Sequence, residues 1–251
     1  MENKRKIMNG FILLNSIECD FEKIKSNLKK DWNIDVSHEK IEKGTLAFDI
    51  GENLLALSFI PVPVPNEEAE KNAVNNYLWH NGAEETKKHT AQIIAAVMGD
   101  NPYSVGIYFN KLVSSVLKLS NAIGIYKYPT VLSAEEYIEA AGYLNEGELP
   151  IANMIYIGLY NSEKGMCGYT EGMEFFGKKE IEVLDTNIDP FDLYNFIYDI
   201  SFYVLSNDVE LKDGETIGFS EEQKLPITIS EGVSVEGESI KISYGSVINF
   251  V

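Results

Sequence analysis

Three histidines, His38, His80 and His89, are the only imidazoles in the chain, and none stands in an HxxxH, CxxC or carboxylate-flanked spacing that would hold a metal. Zinc is therefore not expected, nor is a cofactor. His89 is the imidazole best placed for chemistry. It sits where a polar loop, NGAEETKKH, meets an apolar run, TAQIIAAVMG, ten residues after Trp79. A half-buried imidazole at such a junction serves as acid, base or switch, or as a hydrogen-bonded cap at a strand edge. A second group lies at residues 165–174, where Tyr169, Glu171 and Glu174 stand among Gly165, Gly168 and Gly172. A carboxylate and a phenol in a cleft would suit proton transfer; equally, the glycines permit a bulge or close packing and leave Glu174 pointing to solvent. His89, Tyr169 and Glu171 are thus the candidate catalytic residues. Nucleophilic catalysis lacks a GxSxG elbow, and neither Cys19 nor Cys167 has a histidine or basic neighbour in sequence. GxxxxGKS/T and GxGxxG are both absent, so no phosphate-cradling loop is expected.

The elements that would position these groups are read from periodicity. FILLNS is a buried strand, and DFEKIKSNLKKDW is a helix behind the cap Asp20. TLAFDIGENLLALSFI is a hairpin turning at Gly51, Glu52 and Asn53 and stopped by Pro61, Pro63 and Pro65. A helix is expected from Asn66 through Ala73, Val74, Tyr77 and Leu78, then the 90–99 strand, then a helix over SVGIYFNKLVSSVLKLSNA. GIYKY is a strand, SAEEYIEAAGYL a helix with Ser133 and Glu136 at capping-box spacing, and IANMIYIGLYN a strand. GMEFFG and EIEVLD read as a strand pair, covered by the aromatic helix 190–205, with Phe191, Tyr194, Ile197, Ile200, Ser201 and Val204 at helical spacing behind Asp189 and Pro190. Terminal hairpins follow. The fold class is α+β, with mixed or antiparallel sheets and helices on one face. The string of elements also fits two tandem ferredoxin-like, split βαβ halves, residues 1–121 and 122–251, packed as one unit.

Composition sets the outer limits. A 251-residue chain that is 45% hydrophobic and 11% aromatic is ordered and globular, long enough to bury roughly 70–75% of its unfolded surface. The formal net charge of -18 opposes phosphate backbones and anionic lipid, so nucleic acid and membrane partners are not expected; the acidity either serves solubility alone or offers an acidic face to a basic protein partner. Two cysteines do not make a disulfide framework. The apolar run after the basic start breaks at Asn15 without a cleavage pattern, and no segment reaches the ~18 apolar residues of a membrane helix. A cytoplasmic location is expected. An all-round apolar helix such as 190–205 is buried on several sides or in a second copy, so homo-oligomerisation through it is an open alternative.

The segments WHNGAEETKKHTAQIIAAV, NAIGIYKY, GMCGYTEGMEFFGKKEIEVLD, LKDGETIGF and KISY together resemble the bacterial domain-of-unknown-function 4261 family, most closely over about residues 150–244. The matching positions are Trp79, His89, Ala91, Gly172, Met173, Phe176, Gly177, Asp213, Gly214, Thr216 and Gly218. Family members often look to carry a second histidine two residues after the first, where this chain has Ala91 and then Gln92, which weakens a shared metal or acid–base site. The resemblance implies a fold and a bacterial origin and carries no activity. By analogy of class, some small acidic α+β families act as intracellular immunity proteins against toxins. Two expectations follow: a non-catalytic, immunity-type binding protein with an acidic surface, or an enzyme or small-ligand binder with a cleft near His89, Tyr169 and Glu171.

Overall fold

The computed structural model of the chain describes residues 5–36, 40–42, 44–220 and 223–244. His38 lies outside the described residues. The chain divides into two units, residues 1–153 and 154–251.

In the first unit β1 (Lys6–Leu14) leads to α1 (Phe21–Trp32), whose cap Asp20 accepts the Lys23 N–H at 2.8 Å. β2 (Lys40–Glu42), β3 (Thr45–Ile50) and β4 (Asn53–Ile60) follow, the last two joined by the expected tight turn. The helices α2 (Glu68–Ala73) and α3 (Gly82–Thr86) precede β5 (Ala91–Gly99), α4 (Pro102–Leu117), β6 (Ala122–Lys127), β7 (Thr130–Ser133), α5 (Ala134–Gly142) and α6 (Ile151–Met154). The seven strands form one sheet in the order β2-β3-β4-β5-β1-β6-β7, antiparallel at every pairing. β6 lies beside β1 with Ile12 opposite Ile125, so the strands and helix after residue 121 complete the first core, and the units divide at 153/154 where the sequence suggests 121/122.

Helices cover both faces of this sheet. β-strand alternation sends Ile12 and Leu13 to opposite sides. Leu13, Tyr126 and Val131 pack with Ala69, Ala73, Trp79 and Ala83 of the α2–α3 region. On the other face, α4 lies across β1, β4, β5 and β6, with Val105 against Gly99. The helix expected through Leu78 ends at Ala73, and Val74 and Leu78 are exposed. Its asparagines account for this. Asn76 Oδ1 accepts the N–H groups of Leu78 (2.9 Å) and Trp79 (3.2 Å), offering the backbone a turn that competes with helix.

The second unit holds β8 (Tyr156–Asn161), β9 (Met166–Glu171), β10 (Ile181–Thr186), α7 (Pro190–Ser206), β11 (Thr216–Ile217), β12 (Leu225–Glu231) and β13 (Glu238–Ile242). Its sheet runs β11-β12-β13-β10-β9-β8; β10 and β13 are parallel and the other neighbours antiparallel. The first sheet contains no parallel pair and the second contains one, so the strand order does not repeat between the units as tandem split βαβ halves would require. α7 packs on β8, β9 and β10 through Leu193, Phe196, Ile197, Ile200 and Val204. Gly168 admits it: a Cβ there would stand 2.5 Å from Ile197 Cδ1. Phe191, expected on the buried stripe, is exposed instead.

Two local readings change here. IANM is the short helix α6 rather than the start of a strand. GMEFFG is a 3-10 turn over Met173–Phe176, with φ +116° at Gly172 and +77° at Gly177. Both signs favour glycine, and the turn buries Met173 and Phe176 together instead of alternating them.

Candidate functional site

His89 follows α3 and is buried, and both its ring nitrogens are engaged. Nε2 accepts the Val64 N–H at 3.0 Å, which leaves Nδ1 protonated and donating to the Thr86 carbonyl at 2.6 Å. Glu70 Oε1 lies 3.6 Å from Nδ1. Three residues on, Gln92 Nε2 donates to the Val62 and Pro63 carbonyls at 3.2 and 3.0 Å. His89 and Gln92 therefore fasten the PVPVP segment, whose prolines leave it few N–H groups for a ladder. The ring has no lone pair left for a metal or a substrate proton, and the strand-edge cap is the role that its geometry supports. His80 sits elsewhere, lining an open cleft with Tyr77 and Trp79.

Tyr169 and Glu171 lie on β9 in the second unit, in a different unit from His89. Tyr169 stands opposite Gly158 on β8 and Glu182 on β10. Its ring fits between Tyr156 and Tyr160, edge-on to each at 6.0 and 6.3 Å, over a glycine whose Cβ would meet Tyr169 Cε1 at 2.4 Å. Burial, then the neighbouring Tyr169 and Glu171, push the Tyr156 phenol well up, so it stays protonated. Glu171 is exposed at the strand end, and partial burial followed by the charge of Glu180 raises its carboxyl. This face supplies edge-packed phenols and, at the strand end, a carboxyl raised by partial burial.

Two carboxylates that sequence reasoning did not single out organise the same region. Glu180 accepts Thr170 Oγ1–H at 2.6 Å, the Gly172 N–H at 2.8 Å and the Glu174 N–H at 3.2 Å. Thr170 Oγ1 in turn accepts the Ile181 N–H at 2.8 Å. The Thr-x-Gly-Met-x-x-Phe-Gly segment is thus a clasp that ties the 3-10 turn to β10. Burial raises the Glu180 carboxyl despite those bonds.

Glu182 is fully buried. It accepts N–H groups from Val233 (3.1 Å) and Ser234 (2.6 Å), the Ser239 hydroxyl, and Lys241 Nζ at 3.2 Å. Burial alone would raise it, but the bonds from Ser239, Ser234, Val233 and Lys241 prevail and hold its carboxyl below the ordinary range. Its work is to pin the 231–237 loop to the sheet, and Ser234 Oγ continues to Tyr160 OH at 3.0 Å. The signal available in sequence was the E-I-E alternation of residues 180–182, which places both glutamates opposite the α7 face but does not show what covers them.

A cleft of about 700 Å³ opens beside the clasp. Its floor is Val204, Val209, Leu211, Ile229 and Ile240, and its rim is charged. Among the described residues no group of three or more His, Cys, Asp and Glu side chains is placed to hold a metal ion.

No curated protein and no solved structure matches the chain. The part of the resemblance carried by Trp79, His89 and Ala91 lies outside what does match: residues 169–243, running from Tyr169 through the clasp, Glu182, α7 and the last hairpin, match the family model described as "Domain of unknown function (DUF4261)".

Proposed function

We propose that the protein is a non-catalytic binding protein of the immunity type, whose second unit receives a basic protein partner. The observation that carries this reading is the placement of charge. Residues 154–251 contain 18 acidic and six basic residues, net -12, against 21 acidic and 15 basic, net -6, in residues 1–153. A field of one sign over a small unit steers an oppositely charged partner and repels nucleic acid and anionic lipid. The candidates for chemistry point the same way, because His89, Glu180 and Glu182 are spent on structural hydrogen bonds. Cys19 and Cys167 are free thiols, which fits a reducing, cytoplasmic location, and among the described residues no helix is long and apolar enough to cross a membrane.

The test is affinity capture from the native host at low and at high ionic strength, followed by identification of what is held. A protein with a basic face, released as salt rises, supports the reading. Recovery of no stable protein, or only of acidic ones, contradicts it.

A further inference from the structure

Two clefts adjoin α7 in the second unit, one lined by residues 209–213 and the other by residues 216–219 of the segment that follows the helix. The larger takes Val204 of α7 and Val209 and Leu211 into its floor. The smaller, about 350 Å³, is formed by Ile200 and Tyr203 of α7 with Ile217 and Phe219. Tyr203 and Phe219 are 45% and 57% exposed, a large aromatic surface to leave in water on the most charged part of the chain. The rim of the larger cleft is acidic in excess. Lys178 and Lys179 are neutralised by Asp208 at 2.6 Å and Glu238 at 2.8 Å. Among the described residues Glu174 and Glu210 form no ion pair and both are exposed, leaving Lys212 as the only opposing ammonium on that rim outside a pair.

Resting on the binding reading above, we propose that these two clefts are the docking site, and that the occupant is a cationic amphipathic segment of the partner. One apolar side chain would enter each cleft, and lysines or arginines beside them would meet Glu174 and Glu210. Charge complementarity selects this occupant over the others. A second copy of the chain would set two units of net -12 against each other, and an anionic small molecule would meet the same repulsion. Apolar anchors in desolvated pockets ringed by complementary charge are the usual arrangement of a binding hot spot.

The probe is a short fluorescein-labelled amphipathic peptide of lysine and leucine, titrated with the full chain at low salt and followed by anisotropy; a glutamate–leucine peptide is the control. Glu174→Gln/Glu210→Gln and, separately, Val209→Trp, which fills the larger cleft, are expected to raise Kd roughly tenfold, the scale of losing a few rim charges or one anchor pocket. Glu135→Gln/Glu139→Gln, exposed on α5 of the first unit, is the charge-matched control and should leave Kd within about twofold. Circular dichroism and melting temperature confirm that each variant folds. Binding that survives both cleft variants overturns the docking site while leaving the basic-partner reading intact. No binding of the lysine peptide, or equal binding of the glutamate peptide, overturns both.

Discussion

Burial raises the carboxyls of both Glu180, just before β10, and Glu182, on it, but the hydrogen bonds prevail at Glu182 and do not at Glu180. Glu182 is held below the ordinary carboxylate range, so its stabilisation is present above the unfolded value and lost as pH falls through the lower folded one. Replacing it with Ala strands Lys241, Ser239 and two loop N–H groups, and should cost about 3 kcal/mol near neutral pH. In urea titrations across pH, that difference should shrink in acid; a difference that persists undiminished there contradicts the assignment. Glu180 is raised, so folding favours its protonated form and its contribution improves as pH falls through the raised value. Glu180→Gln, which keeps an acceptor for Gly172 and Glu174, should therefore melt at or above wild type near neutral pH, whereas Glu180→Ala should melt below it. A Gln variant as unstable as the Ala variant would refute the sign. His89→Ala removes the acceptor for the Val64 N–H and should cost about 2 kcal/mol, with faster amide exchange at Val64. Unchanged exchange there would show that the ring does not fasten the proline segment.

At the scale of elements, the close approach of α7 to its sheet depends on Gly168. Gly168→Ala places a methyl against Ile197 Cδ1 and should cost about 1–3 kcal/mol, the usual range for overpacking; a melting temperature equal to wild type would contradict this packing. Elements set by local signals were legible in sequence. Asp20, Ser133 and Asp189 each accept the backbone N–H that their spacing promised, because a cap is decided within four residues. GMEFFG was not legible, since a Met–Phe alternation suits a strand equally well, and what folds it into a turn is Glu180, reached across the chain from Gly172 and Glu174. The early end of α2 has a similar cause: Asn75 and Asn76 donate to the Pro129 and Val131 carbonyls more than fifty residues away. Periodicity carries no record of such partners.

At the scale of the molecule, the α+β class was readable from the order of elements, whereas strand order was not. β1 lies between β5 and β6, and pairing over eighty residues of chain is fixed by the shape of the assembled core rather than by any local pattern. The chemical candidates divide accordingly, with His89 in one unit and Tyr169 and Glu171 in the other. The excess of acid was plain in the composition, but its concentration in the second unit became visible only once the boundary at 153/154 was known. This concentration of acid is what supports the proposed charge-directed binding by that unit. The most direct test of that binding repeats the low-salt capture from the host with three baits: the wild-type chain, the Glu174→Gln/Glu210→Gln chain and the Glu135→Gln/Glu139→Gln chain. The same basic protein should be recovered by the first and third and lost from the second; recovery of no basic protein by the wild-type chain, or equal recovery by all three baits, would contradict the account.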